Sequence, residues 1–275
     1  EKELKKRTID INFSQLKNKI RPRINANKKG QFLTVFNSFF EPGDLIWVKD
    51  LGDASYEFGI HPDVQAALVS LDPKTGQILS MVGGYNFQAS KFNRVTQAKP
   101  QLGSNFKPFL YAAAFENDFT PATLINDAPI AFEDKNLESV WRPENYTGEF
   151  YGLMSLREAL NKSVNIVSIK LLRELGINNA QNVIDKFGLD KKRLPRDLSL
   201  ALGSGNFSPA EMLRAYSVFV NNGSVREPYY VSHIRDRFGN IIYKYEKPAE
   251  EEGLATEFSA FPWLNTIELE ANRPY

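Results

Sequence analysis

Residues 103–109 read Gly103-Ser-Asn-Phe-Lys-Pro-Phe109 and continue into the apolar run Leu-Tyr-Ala-Ala-Ala-Phe. This pattern predicts a buried helix from Ser104 to about Asn117, with a proline tolerated in its first turn. Ser104 and Lys107 would then lie on one helix face, one turn apart. Burial lowers the pKa of a lysine, so that its neutral amine can take a proton from a serine hydroxyl. The stretch therefore predicts a serine nucleophile with a lysine base, a pair that suits acyl transfer.

The composition excludes several other chemistries. The 275 residues are 42% hydrophobic and 24% charged, as in ordinary globular proteins, and the net charge of +1 gives no electrostatic basis for a nucleic-acid partner. The absence of cysteine excludes a thiol nucleophile and thiolate metal sites. The two histidines, His61 and His233, have no second ligand at metal-binding spacing. We expect no metal and no cofactor, and serine chemistry would have to use lysine.

Turn residues and hydrophobic periodicity divide the chain into a β-rich start and a mixed remainder. The start carries strand-like runs at 32–36 and 45–48, with a turn at 41–44 between them. The remainder predicts two hairpins, at 66–82 and 231–245, and a loop-rich stretch at 125–153. It also predicts helices, one opened by a capping box at 155–158 and ending near 160, and others at 166–175, 180–187 and 209–221.

A second polar pair, in Ser163-Val-Asn165, lies at a break between two predicted helices. Such a pair would orient the lysine and hold a substrate amide. The same triplet pattern recurs at Ser204-Gly-Asn206, so the pattern alone does not choose between them. The helix junction and the apolar flanks favour the first triplet.

Two further matches have local explanations. Ser14-Gln-Leu-Lys17 repeats the serine–lysine spacing, but it lies in a basic polar segment with no apolar helix behind it. Lys74-Thr-Gly76 lies within the turn of a predicted hairpin, where threonine and glycine are typical turn residues. We interpret the first as chance and the second as turn chemistry.

Beyond these motifs, the sequence resembles the class A penicillin-binding proteins, specifically the transpeptidase domain of the Gram-negative penicillin-binding protein 1A type. The similarity runs in order and spacing from about residue 64 to about 248. It is carried by Ser104 and Lys107 and by six further segments. These segments are Ala66–Pro73, Val82–Phe87, Phe92–Lys99, Phe119–Pro129, Trp141–Tyr146 and Leu198–Ser204.

The resemblance implies an α+β class with the penicillin-binding, serine transpeptidase fold, an antiparallel sheet flanked by helices and preceded by a small β-rich module. It divides the chain into a β-rich linker or inserted module at 1–62, the first two thirds of the transpeptidase domain at 63–248, and a connector or start of an inserted segment at 249–275. No Lys-Thr-Gly follows Asn165, although the family has one on a later strand. We therefore expect a fragment whose C-terminal strands belong to a missing part of the same protein.

The resemblance also implies a role for each candidate. Ser104 would be the acyl-ester nucleophile and Lys107 its proton acceptor, while Ser163 would shuttle a proton and Asn165 would bind the amide of the stem peptide. The implied function is that of a DD-transpeptidase, which cross-links peptidoglycan stem peptides and is inhibited by β-lactams. Two alternatives stay open, namely a β-lactamase of the same fold and a non-catalytic β-lactam sensor or scaffold.

The implied partners are stem peptides that end in D-Ala-D-Ala, β-lactams, the missing C-terminal part, an outer-membrane lipoprotein activator and cell-elongation proteins. The implied location is the periplasmic face of the bacterial inner membrane. Because the sequence has no run of about 18 apolar residues, we expect the membrane anchor to lie outside this chain.

Overall fold

The computed structural model describes residues 23–25, 28–32, 34, 40–52, 55–59, 64–131 and 141–246. The chain forms two compact units, Glu1–Gln65 and Ala66–Tyr275. The predicted domain limits at 62 and 248 stay predictions, and the predicted connector at 249–275 lies outside the described residues, as does His61. Within the described part of the chain, no helix has both the length and the hydrophobicity to cross a membrane.

The described part of the first unit consists of antiparallel hairpins. Strand β1 (Arg23–Asn25) pairs with β2 (Lys28–Lys29), and β3 (Trp47–Gly52) pairs with β4 (Ser55–Gly59). The predicted turn at 41–44 is confirmed by a backbone hydrogen bond of 3.1 Å across it. The strand predicted at 45–48 begins two residues later than expected, and most of the run at 32–36 lies outside the described residues.

The second unit combines helices with short antiparallel strand pairs, which confirms the α+β class. Its strands pair in the order of the chain, β5 (Leu68–Leu71) with β6 (Ile78–Val82), β7 (Leu124–Asp127) with β8 (Gly152–Ser155), and β9 (His233–Arg235) with β10 (Ile241–Lys244). Its helices are α1 (Lys107–Phe115), α2 (Leu156–Asn161), α3 (Asn165–Leu175), α4 (Ile177–Lys186) and α5 (Pro209–Val220).

The helix ends follow the capping residues in the sequence. The Ser155 side chain accepts from the backbone N–H of Glu158 and opens α2, as predicted. Helix α5 opens with a complete capping box between Ser208 and Glu211. Helix α3 is followed by Gly176 at a φ of +85°, a conformation that glycine adopts without strain. Helix α4 begins at Ile177, three residues before the predicted start.

The predicted helix at Ser104 is wrong at its first turn. Residues Gly103–Phe106 form a 3₁₀ turn, and the α-helix begins only at Lys107. In an α-helix the N–H of residue 108 would bond to the carbonyl of Ser104, but residue 108 is proline and has no N–H. The Ser104 carbonyl instead accepts from the N–H of Lys107, which is a 3₁₀ bond.

Helix α1 lies at the centre of the core, with almost every side chain buried. The Phe109 ring meets Phe187, Tyr216 and Phe219 at centroid distances of 5.3, 5.0 and 5.4 Å. Contacts of this kind bury large apolar areas and favour edge-to-face or tilted geometry. They hold α1 against α5 and the end of α4, so the first turn of α1 has a fixed position.

The strand pair β7–β8 forms the two ends of the stretch predicted to be loop-rich at 125–153. Along β7 the burial alternates, and the buried positions are Ile125 and Asp127. A carboxylate at a core position breaks the hydrophobic alternation that identifies a strand. The pair also joins residues about 30 apart in sequence, so no local turn signal indicates it.

A close backbone contact supports the turn that carries Ser104. The N–H of Leu102 donates to the carbonyl of Gly205 at 3.1 Å, and the N–H of Gly103 donates to the carbonyl of Gly203 at 3.0 Å. Gly203 has a φ of +71°, and a Cβ at this position would overlap the backbone of Gly103. Two glycines therefore allow the two chain segments to approach within hydrogen-bonding distance.

We expect Gly203→Ala to lower the free energy of unfolding more than Gly148→Ala does. The two glycines have nearly the same φ, +71° and +73°, so each substitution should cost about 1–2 kcal/mol of left-handed strain. A Cβ at Gly148 meets no atom within 4 Å, whereas a Cβ at Gly203 would have to displace the backbone of Gly103. This displacement should cost about 2 kcal/mol more of folding stability. Urea titration of the intact protein measures both losses. Equal losses would contradict the steric explanation.

Candidate active site

The Ser104 side chain is exposed at the start of the buried helix α1. Its turn is fixed on one side by the contact between Gly103 and Gly203, and on the other by the Tyr216 hydroxyl, which donates to the carbonyl of Asn105 at 2.7 Å. A serine on a rigid, exposed turn with a helix behind it is placed for nucleophilic attack.

The Lys107 side chain is buried and points to the junction between α2 and α3. Only 1% of the residue is exposed. Its Nζ donates to the Ser163 carbonyl at 2.6 Å, to the Ser163 Oγ at 3.1 Å and to the Asn165 Oδ1 at 2.8 Å. These three bonds use the three protons of an ammonium group. The structure thus brings together three of the four residues predicted from the sequence.

Burial lowers the pKa of Lys107 from 10.5 to about 8. The cause is desolvation of the charged form, since the lysine bonds only to neutral groups and no carboxylate in the described residues forms an ion pair with it. Roughly a tenth of the molecules would then carry a neutral amine at pH 7. A lysine in this range is suited to act as a general base.

The predicted contact between Ser104 and Lys107 is absent from the hydrogen bonds among the described residues. All three bonds of the Lys107 amine go to Ser163 and Asn165. The α2–α3 junction explains this, because it offers three acceptors on the buried side, which use all three protons of the ammonium group. Proton transfer between Ser104 and Lys107 stays a prediction.

The Ser163 backbone adopts an unusual conformation that directs its carbonyl to Lys107. Its φ of +55° is left-handed, although serine has a Cβ. Its N–H bonds to the Leu160 carbonyl at 3.0 Å, and the N–H of Val164 bonds to the Ala159 carbonyl at 2.9 Å. These two bonds form a Schellman motif, in which glycine usually occupies the position of Ser163. A strained residue that binds the buried lysine indicates a functional constraint.

The Asn165 side chain lies in the first turn of α3 and is bonded on two sides. Its Oδ1 accepts from Lys107, and its Nδ2 donates to the Glu144 carbonyl at 3.0 Å. The backbone N–H of Asn165 donates to the Asn145 Oδ1 at 2.9 Å. Both the position and the orientation of this amide are therefore fixed by contacts outside its own helix.

Sequence reasoning missed Asp127, Glu144 and Asn145. Asn145 and Asp127 are buried, with 7% and 1% exposed, and the Asn145 amide donates to both carboxylate oxygens of Asp127. No local signal assigns them to the site, since they are 18 residues or more from Ser163 in sequence. Both belong to segments that carry the family resemblance, and this was the available indication.

Two of the competing motifs lie among the described residues, and Ser14–Lys17 lies outside them. The triplet Ser204–Asn206 runs along residues 101–103, where Gln101 and Asn206 form an antiparallel bridge, and the Ser204 hydroxyl bonds to Ser199 at 2.6 Å. Lys74–Gly76 forms the β5–β6 turn, with the Asp72 carbonyl accepting from Gly76 at 2.8 Å. Neither motif bonds to Lys107 among the described contacts. The Ser163 triplet is the one that meets the lysine.

The described residues contain no group of three or more His, Cys, Asp or Glu side chains that could hold a metal ion. His233 lies exposed on β9, with its Nδ1 3.1 Å from the hydroxyl of Ser232.

The amino-acid sequence is similar to a known family model and to several characterised proteins. The family model described as the penicillin binding protein transpeptidase domain matches residues 66–261. Penicillin-binding protein 1A of Pseudomonas aeruginosa is 46% identical over 228 residues, which cover 83% of this chain and 28% of that protein. Penicillin-binding protein 1A of Escherichia coli is 37% identical over 224 residues, covering 82% of this chain and 26% of that protein.

A solved structure extends the similarity to the fold. The crystal structure of penicillin-binding protein 1A from Haemophilus influenzae matches with a TM-score of 0.68 and 36% identity, over 74% of this chain and 30% of that one. The chain spans less than a third of the length of the curated relatives it matches.

We expect Ser163→Gly to be more stable than Ser163→Ala by about 0.5–1 kcal/mol. Both variants lose the hydroxyl, but only alanine keeps the left-handed strain, and the relief with glycine exceeds the extra entropy of its unfolded chain. The same pair of changes at Ser168, inside α3, provides the control, because there glycine should be the less stable variant by about 1 kcal/mol. Free energies of unfolding measure which variant is more stable at each site. If alanine were the more stable variant at both sites, backbone strain at Ser163 would be contradicted.

Proposed function

This chain belongs to the penicillin-binding protein transpeptidase domain family, and on that basis we propose that it acts as a serine DD-transpeptidase on peptidoglycan stem peptides. The observation that carries the proposal is the buried amine of Lys107, bonded to Ser163 and Asn165 one turn from an exposed serine. The proposed transpeptidase part covers 63–248, with a separate β-rich module at 1–62 and a connector at 249–275.

In the first half of the reaction, the Ser104 Oγ attacks the carbonyl carbon of the D-Ala-D-Ala bond of a donor stem peptide. The neutral amine of Lys107 takes the serine proton, and the backbone N–H of Ser104 supplies one donor to the developing oxyanion. The C–N bond then breaks, and D-alanine leaves as its amine takes up a proton. An ester between the donor and Ser104 remains.

Ser163 is suited to move the proton because its hydroxyl both donates and accepts. In the structure its Oγ accepts from Lys107 at 3.1 Å. Once the lysine is neutral, the same hydroxyl can donate to it or to the leaving amine. Asn165 holds the lysine through its Oδ1. The second N–H of its Nδ2, beyond the one that binds the Glu144 carbonyl, would bind the amide of the stem peptide.

In the second half, an acceptor amine attacks the ester carbon and forms the cross-linking amide, and the Ser104 hydroxyl regains its proton. β-Lactams follow the first half only and leave a slowly hydrolysed ester on Ser104. The proposed partners are the stem peptides, β-lactams, the C-terminal part of the same protein, an outer-membrane lipoprotein activator and cell-elongation proteins. The proposed location is the periplasmic face of the inner membrane.

The two alternative functions are not favoured. A β-lactamase would need a base that activates water against the ester, and neither Ser104–Lys107 nor Ser163–Asn165 contains a carboxylate for that role. The similarity to penicillin-binding protein 1A of several bacteria also supports the transpeptidase.

We expect fluorescent penicillin to form a stable adduct on Ser104 of the intact protein, located by peptide mapping. Ser104→Ala should abolish the adduct because no other nucleophile lies on this turn. Ser204→Ala, the same change in the competing triplet, should keep the labelling within about threefold. Rapid release of the label would indicate a β-lactamase, and a folded protein without any adduct would contradict both enzyme functions.

We expect the acylation rate constant to rise with pH and to level off above about pH 8. The reason is that only the neutral amine accepts the serine proton, and burial holds the pKa of Lys107 at about 8. Tyr111, one turn along α1, does not titrate in this range, since burial raises its pKa to about 12.

Penicillin acylation measured from about pH 6 to 10 tests this profile. Lys107→Arg, which stays charged throughout, should show no acylation at any pH. Lys191→Met, at a lysine that bonds to Asn182 on α4, should leave the profile unchanged. A flat profile for the unmodified protein would exclude Lys107 as the base.

A further inference from the structure

A buried pair of polar side chains behind the site, Asp127 and Asn145, has no role in the reaction described above. The Nδ2 of Asn145 donates to the two carboxylate oxygens of Asp127 at 3.0 and 2.9 Å and to the Glu149 carbonyl at 2.9 Å. The backbone N–H of Tyr151 donates to the same carboxylate at 2.9 Å. The carboxylate is thus bound by three donor contacts, all from neutral groups.

The other end of the Asn145 amide caps helix α3. Its Oδ1 accepts from the backbone N–H groups of Asn165 at 2.9 Å and Ile166 at 3.2 Å. Val164, which stands at the N-cap position, provides no side-chain hydrogen bond of its own. An acceptor at this position normally comes from the capping residue itself. Here it comes from a residue 20 positions earlier in the chain.

Asp127 determines which way the Asn145 amide points. With the observed orientation, the NH₂ group faces carboxylate and carbonyl oxygens, and the oxygen faces two helix N–H groups. The reversed amide would place an oxygen against the carboxylate and an NH₂ group against the N–H donors. Every one of these contacts would become repulsive.

We propose that Asp127 and Asn145 are positioning residues that fix Asn165, and through it the amine of Lys107, in the geometry needed for acylation. Asn165 is held by Asn145 at its backbone and by the Glu144 carbonyl at its Nδ2. Its Oδ1 is therefore directed to Lys107 and cannot turn away without breaking these bonds. The inference rests on the proposed function of Lys107.

Exchanging the two side chains separates positioning from simple loss of a buried hydrogen bond. Asn145→Asp alone places a second carboxylate against Asp127, and Asp127→Asn alone places one NH₂ group against another. In the double variant, the new carboxylate at 145 still accepts from the N–H groups of Asn165 and Ile166. The new amide at 127 donates back to it, so the pair keeps one charge and its mutual hydrogen bond. The Glu149 carbonyl loses its donor, however, and faces a carboxylate oxygen instead.

The experiment measures the acylation rate constant and the non-covalent affinity for fluorescent penicillin, per folded molecule of the intact protein. We expect Asn145→Asp to lower the rate constant at least about tenfold, with a smaller change in affinity, because a shift of the base slows the chemical step. Asp127→Asn should lower it less, since only one of its oxygens is lost. The double variant should be at least about threefold faster than Asn145→Asp, because the repulsion between two carboxylates is gone, although the lost Glu149 contact keeps it below the unmodified protein.

Asn117→Asp is the matched control. This asparagine follows the far end of α1, about 15 Å along the helix from Lys107, and its Nδ2 donates to the Ala113 carbonyl. The same chemical change there should leave the rate constant of the folded molecules unaltered. An equal loss in this control would show that the effect is not specific to the Asp127–Asn145 pair.

Three results would overturn the proposal. The first is an unaltered rate constant in both single variants. The second is a double variant no faster than the slower single variant. The third is an equal loss of the rate constant in Asn117→Asp, since the effect would then not be specific to the pair. A variant that fails to fold leaves the decision to the other two variants. Failure of the proposed function is distinct, because then the unmodified protein itself would form no adduct.

Discussion

The buried amine of Lys107 is the interaction on which the arrangement of the second unit depends. A lysine that is 1% exposed must find hydrogen-bond acceptors, because an unsatisfied charge in a core is far too costly. Its acceptors, from Ser163 and Asn165, lie at the junction of α2 and α3. The bonds therefore tie the central helix α1 to the two helices beside it. They also explain why a serine is held in a left-handed conformation where glycine would be relaxed.

Burial also sets the protonation of this lysine. Desolvation of the charged form lowers its pKa to about 8, while three neutral acceptors hold the amine in place. A group balanced near neutrality can gain and lose a proton within one reaction cycle. The surrounding structure is correspondingly rigid, with a glycine–glycine backbone contact behind the Ser104 turn and the Asp127–Asn145 pair behind Asn165. The lysine forms no ion pair among the described residues, and fixed neutral acceptors hold its amine instead.

Local sequence signals predicted the features that depend on neighbouring residues. The β5–β6 hairpin, the cap at Ser155 and the end of α3 at Gly176 follow from turn and capping chemistry. The choice of Ser163–Asn165 over Ser204–Asn206 followed from a helix junction visible in the hydrophobic pattern. The first turn of α1 was mispredicted because a single proline removed one α-helical hydrogen bond. The pair β7–β8 was missed because Asp127 occupies a core position.

The sequence by itself predicted the chemical groups of the candidate site from their local settings, and it indicated the α+β class and the family through the similar segments between about 64 and 248. Only the tertiary structure decided how these groups meet. It turned the Lys107 amine to Ser163 and Asn165, and it brought Asn145 to the start of α3. The reason is physical. A hydrogen bond between residues 20 to 58 positions apart depends on how helices pack around a shared core, and no local pattern encodes that distance.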